Sequence, residues 1–375
     1  MEPVATDVEK IVRQDAALLE DDLRAFVDAL ADGGEGDEGE VYADALRRTL
    51  YAPIEDALGS KVGQQALPPR PDAPGGTAPL RPSMVYWAYR NYRGFPGELT
   101  DADDFAAIRR TAVAVRILLK AAVALDDIQD GSAVRYGEPA LHATHGVPIA
   151  LNTGAWLVTA ALRHAGQPAA VAALLESVGR GFTGQAGDLA SRTDVTREAL
   201  LTAPHADRVR FWESVAALKT GTLFWMPLDA ALAALGVRER DREALADAMR
   251  RLGLASQLFN DLTDVVPEFG GANTHEDFDG LGNRVFLELL DAEPPRTDAN
   301  LSSADLRSYV LTHPKLDATL LRLAADAVEL KRAAKETVHS VCRSPYSAAY
   351  FDLTIDRKGH LIDRLHRTLA ERSGA

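Results

Sequence analysis

The chain has 375 residues, of which 46% are hydrophobic, and a formal net charge of −14 at pH 7. This length is sufficient for one large buried core, and the negative charge argues against nucleic acid or an anionic membrane surface as the main partner. Cys342 is the single cysteine, which excludes an intramolecular disulfide and is typical of a reducing compartment. The N-terminal segment lacks an apolar signal core, and no apolar run is long enough to span a bilayer. We therefore expect a cytoplasmic protein without a stable membrane anchor.

The N-terminal part of the chain alternates helical patterns with segments rich in helix breakers. Val8–Leu30 and Val41–Leu58 carry apolar residues at helical spacing and predict two helices. The acidic, glycine-rich Gly33–Glu40 and the proline-rich Leu67–Pro82 predict loops.

From Arg81 onward nearly every segment has helical periodicity. A long helix is predicted from Asp101 to about Asp130, because acidic residues suit its positive N-terminal end. Further helices are predicted at Val147–His164, Ala169–Gln185, Ala206–Leu235, Arg238–Val265, Leu316–Val341 and Pro345–Ala370. Alternating runs of Val, Ile and Thr are absent, so no strand is predicted. The expected fold is all-α, an antiparallel helical bundle around a central apolar cavity, in which residues 1–66 cover one continuous domain of residues 67–375.

The end of the long helix carries three aspartates. Asp126 and Asp130 are four positions apart and share one helix face, and Asp127 lies beside them. Carboxylates at this density repel one another unless a cation lies between them, and oxygen ligands of this charge suit Mg²⁺. The alternative is a solvated acidic helix end. A second set of oxygen ligands far downstream favours metal binding.

This second set lies in the segment FNDLTDVVPE. Asn260, Asp264 and Glu268 are spaced i, i+4, i+8, which aligns them on one helix face. Asp261 is adjacent to them and is included among the predicted metal ligands. Pro267 indicates that the helix ends nearby, so the alternative is an ordinary polar C-terminus. Two such oxygen-rich faces predict a shared Mg²⁺ site.

Four segments carry a resemblance to a known family. They are DDIQDGSAVRYGEPALHATHGVPIALNTG (Asp126–Gly154), GQAGDL (Gly184–Leu189), KTGTLF (Lys219–Phe224) and QLFNDLTD (Gln257–Asp264). In this order and spacing they resemble the trans-isoprenyl diphosphate synthases, the polyprenyl synthetase superfamily, and notably the geranylgeranyl diphosphate synthases. The resemblance implies an isoprenoid-synthase-type helical bundle, a homodimer, and two or three Mg²⁺ ions that act on an allylic prenyl diphosphate.

The resemblance also assigns roles to single residues. Lys219 matches the family's diphosphate-binding lysine, and Thr220 follows it in the same substrate-binding motif. Arg135 matches the first arginine of the family's Arg-Arg pair, which is associated with the allylic diphosphate. Gln185 and Asp188 match the Gln-x-x-Asp motif, whose carboxylate is expected to hold metal or Lys219.

The site for isopentenyl diphosphate departs from the family pattern. Thr77 or Ala78 replaces the loop lysine. Leu119 replaces a histidine and Tyr136 the second arginine, so only Arg81 remains. Such losses should weaken the pocket by several kcal/mol, since charge-assisted contacts contribute roughly 1.5–3 kcal/mol each. The second metal motif, Asn-Asp-x-x-Asp, also lies between the synthases' Asp-Asp-x-x-Asp and the Asn-Asp-x-x-Ser/Thr-x-x-x-Glu of class I terpene cyclases.

These departures leave several functions open. The first choice is an Mg²⁺-dependent prenyltransferase whose acceptor is not isopentenyl diphosphate but, for example, an indole or another aromatic, for which Tyr136 and Leu119 offer a suitable face. A class I terpene synthase that cyclises the same substrate is the next alternative. An ordinary synthase with Arg70 or Arg284 as substitute cations is a third. A non-catalytic partner subunit is the fourth, although such a chain would be expected to lose its metal ligands first.

Two alanines bear on the length of the substrate. Ala121 and Ala122 lie five and four positions before the first aspartate, where bulky residues close the prenyl tunnel in the family. Small residues leave room, so a C20 substrate, geranylgeranyl diphosphate, is favoured over C15. The alternative is that the alanines only permit close helix packing.

Overall fold

The computed structural model describes residues 2–32, 39–60, 66–67, 76–95, 102–266, 269, 281–292 and 303–373. The chain divides into two compact units. The first unit comprises Met1–Glu176, Met226–Glu243 and Val341–Ile355. The second unit comprises Ser177–Trp225, Ala244–Ser340 and Asp356–Ala375. The N-terminal residues therefore belong to the same unit as the first acidic segment.

Helices make up both units. In chain order they are α1 (Glu2–Asp32), α2 (Glu40–Leu46), α3 (Ala52–Gly59), α4 (Leu80–Arg93), α5 (Ala102–Gln129), α6 (Leu141–His145), α7 (Val147–Ala165), α8 (Pro168–Ala190), α9 (Asp194–Thr202), α10 (His205–Ala216), α11 (Thr222–Ala234), α12 (Glu239–Val265), α13 (Arg284–Ala292), α14 (Ser303–Thr312), α15 (Leu316–Val341) and α16 (Pro345–Ser373). Within the described part of the chain, none of the helices has both the length and the apolar character needed to cross a membrane.

The all-α prediction is confirmed, with local corrections. Val41–Leu58 and Ala206–Leu235, each predicted as one helix, are interrupted by the π-helical turns Arg47–Tyr51 and Ala217–Gly221. Two hairpins were not predicted, because strands of two residues are too short to show alternation. Their strands are β1 (Ala66–Leu67) with β2 (Gly76–Thr77), and β3 (Val134–Arg135) with β4 (Glu138–Pro139), both antiparallel.

Helix α1 is held in the first unit by charge pairs. Asp15 is almost fully buried and accepts hydrogen bonds from Arg90 Nη2 at 2.5 Å and from the Tyr350 hydroxyl at 3.1 Å. Burial raises the pKa of Asp15, and the bonds from Arg90 and Tyr350 oppose that rise. Asp22 pairs with Arg109 at 2.5 Å in a more exposed position. The N-terminal helix is therefore an integral part of this unit.

The core of the first unit forms where α5 packs against α4 and α7. Ile108 and Ile117 of α5 are fully buried there. Gly154 of α7 allows a close approach, since a Cβ at this position would lie 2.8 Å from Cγ of Leu125. Helix α7 therefore supports the last turn of α5, directly before Asp126.

The second unit has its own apolar core, built from α12, α13 and α15. Leu258 and Leu262 of α12 pack in it together with Phe286 of α13 and Leu323 of α15. Every third or fourth residue of α12 points into this core, as expected of an amphipathic helix. The core fixes the segment of α12 that carries the second set of predicted metal ligands.

Candidate functional site

The first acidic segment lies at the C-terminal end of α5, in the first unit. The N–H of Asp130 donates to the carbonyl oxygen of Asp126 at 2.8 Å, so the helical geometry continues one residue beyond Gln129. The N–H of Ser132 donates to the carbonyl oxygen of Asp127 at 2.9 Å. Carboxylates are unfavourable at the negative end of a helix dipole. The segment therefore requires a positive group nearby.

Arg135 supplies that positive charge. Its Nη2 contacts Asp126 Oδ2 at 2.7 Å and its Nε contacts Asp127 Oδ1 at 2.5 Å. The Asp127 side chain is 1% exposed and that of Arg135 13% exposed. Burial alone would lower the pKa of the Arg135 guanidinium, but Asp126 and Asp127 more than offset this, so its pKa is raised. The guanidinium thus lies where its positive charge neutralises both carboxylates.

The hairpin of β3 and β4 presents Arg135. Its turn residues Tyr136 and Gly137 have φ angles of 54° and 80°, which is the left-handed combination of a type I′ turn. Glycine adopts this conformation freely, whereas a tyrosine is strained in it by roughly 1–2 kcal/mol. Burial lowers the pKa of Arg81 on α4, and Tyr136 is the electrostatic neighbour that opposes this effect. Arg81 and the partly exposed Tyr136 therefore lie close enough to interact.

Lys219 lies in the second unit, on the π-helical turn Ala217–Gly221. Its Nζ donates to Asp188 Oδ2 at 2.7 Å, which is the contact expected from the Gln-x-x-Asp motif. Arg192 reaches the same oxygen at 3.8 Å. Gln185, one turn earlier on α8, is buried. Asp188 therefore orients the lysine predicted to bind diphosphate.

Close backbone contacts hold this π-helical turn. A Cβ on Gly184 would lie 2.6 Å from the carbonyl carbon of Leu218, and a Cβ on Gly253 would lie 2.7 Å from the backbone nitrogen of Gly221. Two glycines on different helices thus allow α8 and α12 to approach the turn directly. Single π-helical turns inside α-helices are frequent at functional sites. Here the packing fixes the backbone that carries Lys219.

Asp261 of α12 is the centre of a buried hydrogen-bond network in the second unit. Its side chain is 1% exposed. Oδ2 accepts bonds from Trp212 Nε1 and from the backbone N–H of Arg284, both at 2.8 Å. Oδ1 accepts a bond from Gln257 Nε2 at 2.8 Å. Both carboxylate oxygens are thus engaged by neutral N–H donors.

Asn260 and Asp264 lie one turn apart on α12, as predicted. Asp264 is buried, and its Oδ2 accepts a long bond from Asn283 Nδ2 at 3.3 Å. Asn260 is half-buried. Glu268, the third residue predicted on this face, lies outside the described residues.

The predicted site residues form two groups, one in each unit. The first unit contains Arg81, Ala121, Ala122, Asp126, Asp127, Asp130 and Arg135. The second unit contains Gln185, Lys219, Thr220, Asn260, Asp261 and Asp264. Ala121 is fully buried, whereas Ala122 retains partial exposure. Each group combines oxygen ligands with at least one cation suited to a diphosphate.

The positions that the resemblance assigns to the acceptor site are only partly described. Ala78 is buried and Leu119 is half-buried. Arg70 and the side chain of Thr77 lie outside the described residues. Arg284, which was considered as a substitute cation, bonds Glu288 at 2.7 Å and lies over the Trp212 ring at 5.3 Å. Its guanidinium is therefore committed to contacts inside the second unit.

The donor chemistry of both groups fits a hard divalent cation. Carboxylate and amide oxygens are the ligands that Mg²⁺ prefers in proteins. Among the described residues, no three or more His, Cys, Asp or Glu side chains are already arranged as a metal site. In the first group, Arg135 holds the oxygens of Asp126 and Asp127 that a metal would use.

Three residues of the second group were missed by the sequence analysis: Trp212, Gln257 and Asn283. Asn283 had a readable signal, because its Oδ1 accepts the N–H of Val285 at 2.9 Å and asparagine is a preferred N-cap. Gln257 had one as well, because it lies four positions before Asp261, a spacing at which side chains on a helix can bond. Trp212 had none, since it meets its partner across 49 positions and such a contact leaves no local pattern.

Comparisons with known proteins agree with these features. The family model described as Polyprenyl synthetase matches residues 73–279, more than half of the chain. The short chain isoprenyl diphosphate synthase of Methanothermobacter thermautotrophicus is 28% identical over 202 residues, which cover 52% of this chain and 56% of that protein. Fusoxypene synthase of Fusarium oxysporum is 39% identical over 79 residues, covering 20% of this chain and 11% of that protein. The chain thus spans about half, or less, of the length of these curated relatives.

Solved structures show the fold. The geranylgeranyl pyrophosphate synthetase of Pyrococcus horikoshii has a TM-score of 0.64 at 19% identity, with 94% of this chain and 98% of that chain covered. The geranylgeranyl pyrophosphate synthase of Corynebacterium glutamicum, complexed with isoprenyl diphosphate and magnesium, has a TM-score of 0.65 at 18% identity, with 92% and 98% covered. The predicted isoprenoid-synthase type of helical fold is confirmed.

Proposed function

Because the chain belongs to the polyprenyl synthetase family, we propose that it is an Mg²⁺-dependent prenyltransferase of isoprenoid biosynthesis. It ionises a long allylic diphosphate, with geranylgeranyl diphosphate favoured, and transfers the prenyl group to an acceptor other than isopentenyl diphosphate. An indole or another aromatic compound is the preferred acceptor class. The proposal is supported by a contrast in the sequence: the residues that match the family's diphosphate-leaving side are retained, whereas several residues of its acceptor side are replaced.

The leaving side is supported by two cations that carboxylates orient. Lys219 is bonded to Asp188 and its side chain is 26% exposed, so its ammonium group can also reach a ligand. Arg135 is held by two aspartates in the same manner. A cation held in this way can donate to a diphosphate as negative charge develops on it, which stabilises the transition state more than the ground state.

Two or three Mg²⁺ ions, as the family resemblance implies, would supply the remaining positive charge. Asp126, Asp127 and Asp130 would hold metal in the first unit, and Asn260 and Asp264 in the second. When bound, the metal neutralises the departing diphosphate as a Lewis acid. The magnesium and isoprenyl diphosphate in the Corynebacterium glutamicum structure support this assignment. The i, i+4, i+8 spacing further predicts Glu268 as a ligand.

The acceptor side lacks the cations that a second diphosphate requires. Leu119 and Tyr136 stand where the family has a histidine and an arginine. Tyr136 is 41% exposed, and the strained turn holds it beside Arg81. An exposed aromatic ring beside a half-buried guanidinium favours an aromatic acceptor, because both groups stack on π faces. The binding of isopentenyl diphosphate is correspondingly disfavoured.

The second candidate is a class I terpene synthase that acts on the same allylic diphosphate. Asn260 at the first position of the second motif favours it, since the synthases have aspartate there. The 79-residue match to fusoxypene synthase, at 39% identity, supports this candidate as well. In such an enzyme the allylic cation is attacked by double bonds of its own chain, so no acceptor is required.

Substrate length and assembly complete the proposal. Ala121 and Ala122 provide the room for a C20 chain, and Ala122 is the better position for a test because it is the less buried. Ala122→Phe should shorten the accepted chain from C20 towards C15. We also propose a homodimer, for which Val147 and Leu151 offer exposed apolar surface one turn apart on α7. A monomer in light scattering would contradict the dimer.

The deciding experiment incubates the protein with geranylgeranyl diphosphate and Mg²⁺ in three mixtures. The first contains no acceptor, the second contains isopentenyl diphosphate, and the third contains indole-3-glycerol phosphate. A prenylated indole in the third mixture is the expected result. A hydrocarbon in the first mixture would identify a cyclase, and a longer prenyl diphosphate in the second an ordinary synthase. No diphosphate release in any mixture would leave the non-catalytic partner subunit.

A pair of variants distinguishes an effect on the proposed metal site from a nonspecific effect of substitution. Asp126→Asn should reduce diphosphate release about 100-fold or more, because it weakens a ligand to the metal that would neutralise the leaving group. Asp207→Asn is the matched control, since Asp207 is half exposed and pairs with its neighbour Arg210 at 2.6 Å on the surface of α10. Asp207→Asn should retain wild-type turnover. Equal turnover in both variants would remove Asp126 from the proposed metal site.

A further inference from the structure

The Asp261 network extends beyond Asp261 itself and includes the turn that carries Lys219. Gln257 donates through Nε2 to Asp261 Oδ1 at 2.8 Å and accepts through Oε1 from the Thr220 hydroxyl at 2.6 Å. Thr220 is buried and directly follows Lys219. A continuous run of hydrogen bonds therefore joins the lysine turn to α12.

The network also fixes the beginning of α13. The first N–H groups of a helix have no partner inside the helix. The N–H of Arg284, the first residue of α13, donates to Asp261 Oδ2 at 2.8 Å. Asn283 adds a bond from its Nδ2 to the backbone oxygen of Asp261 at 3.1 Å. Asp261 thus caps α13 from another helix.

Hydrogen bonding distinguishes Asp261 from the proposed ligands. On α12, Asp261 is turned by about 100° from Asn260 but by only about 60° from Asp264, so helix geometry alone does not separate it from them. Three N–H donors occupy its two oxygens, and almost none of the side chain is exposed. A side chain that binds a metal in a substrate site needs a carboxylate oxygen that is exposed to that site.

We propose that Asp261 is a positioning residue and not a metal ligand. With Gln257 it fixes the lysine turn against α12, and so sets the distance from Lys219 to Asn260 and Asp264. This inference rests on the proposed function, because it concerns how Mg²⁺ and diphosphate are bound. It revises the sequence prediction that included Asp261 among the ligands.

An exchange of the two side chains tests this role. Gln257→Glu alone puts two carboxylates against each other and breaks the run of hydrogen bonds. In the double variant Gln257→Glu with Asp261→Asn, the introduced carboxylate accepts from Thr220 and from the introduced amide, whose oxygen still accepts from Trp212 and Arg284. Every hydrogen bond is then restored while the carboxylate at position 261 is absent.

The readout is the Mg²⁺-dependent affinity for inorganic diphosphate, measured by calorimetry. Gln257→Glu should weaken this affinity about 10-fold or more, as the loss of charge-assisted positioning bonds implies. The double variant should recover to within about threefold of the wild type. If Asp261 binds metal, the double variant will bind at least as weakly as Gln257→Glu, which would overturn the proposal.

Two controls separate this inference from loss of stability and from the proposed function. Val285→Ala, in the fully buried core of the same unit, should lower the melting temperature but keep the affinity for diphosphate. Melting in EDTA tests the network without metal, and the double variant should recover the temperature lost by Gln257→Glu. If the wild type binds no diphosphate, the proposed function fails, while this melting comparison still decides the role of Asp261.

Discussion

The acidic segments of the two units are stabilised by different kinds of partner. In the first unit a guanidinium, that of Arg135, balances Asp126 and Asp127. In the second unit, neutral N–H groups of Trp212, Gln257 and Arg284 hold Asp261. A charged partner can be replaced by an incoming cation, whereas neutral donors fixed by packing cannot. The first segment is therefore suited to exchange its partner during a reaction, and the second to keep its geometry.

The packing around each acidic or cationic segment also differs between the two units. In the first unit, the position next to Gly154 is occupied by the side chain of Leu125, which can rotate. In the second unit, the backbone around Leu218 lies next to Gly184, and a backbone cannot move away locally. We therefore expect the acidic end of α5 to be adjustable and the Lys219 turn to be rigid.

The largest expected effect comes from removing the guanidinium. Arg135→Met should lower the free energy of unfolding by roughly 3–5 kcal/mol, because Asp127 then remains buried without its charged partner. Urea denaturation at pH 7.5 in EDTA measures this. Added Mg²⁺ should stabilise the variant more than the wild type, since a cation takes the place of the guanidinium.

Arg332→Met is the control for that variant. Arg332 pairs with Glu329 at 2.5 Å, but both side chains are more than half exposed, so the loss should stay below about 1 kcal/mol. Two results would contradict the expectation that a metal cation can replace the Arg135 guanidinium. In one, Arg135→Met lowers the free energy of unfolding no more than this control does, and in the other, Mg²⁺ stabilises the variant and the wild type equally.

The next largest effect tests the rigid turn. Gly184→Ala should destabilise the protein by about 2–3 kcal/mol, because its methyl group overlaps the backbone at Leu218. Gly179→Ala lies on the same helix with open space around the new methyl group, and should be stabilising by roughly 0.5–1 kcal/mol. Thermal unfolding compares the pair. Similar melting temperatures would show that the backbone of the turn shifts to accommodate the methyl group.

The neutral donors can be tested through two tryptophans. Trp212→Phe removes a bond to the Asp261 carboxylate, which should cost about 1.5–3 kcal/mol, whereas Trp87→Phe removes a bond to the carbonyl of Ser347 and should cost about 1 kcal/mol. Both indoles are buried, so the loss of packing is comparable. Equal losses of unfolding free energy in the two variants would mean that the bond to the Asp261 carboxylate is no stronger than the bond to a neutral carbonyl.

The smallest effect belongs to the adjustable helix end. Gly154→Ala should cost about 1 kcal/mol, since the Leu125 side chain can rotate away from the new methyl group. Chemical denaturation measures the change. A loss as large as that of Gly184→Ala would erase the difference between the two units.

Much of this molecule could be predicted from local patterns. Helical periodicity placed α5 and α12, and the motif order anticipated the contact between Asp188 and Lys219. The π-helical turn at Ala217–Gly221 was missed, because the glycines that allow it, Gly184 and Gly253, lie on other helices. Local periodicity contains no information on which helices will approach so closely.

The sequence by itself determined the all-helical fold, the two acidic segments and the residue types suited to Mg²⁺ and diphosphate. Only the tertiary structure decided which carboxylates are available and which are already engaged. Asp127 and Asp261 look alike in the sequence, where both are predicted metal ligands, yet one is paired with a guanidinium and the other is held by three N–H donors. The physical reason is that spacing along a helix sets the direction of a side chain, while burial and hydrogen-bond partners come from residues distant in the chain.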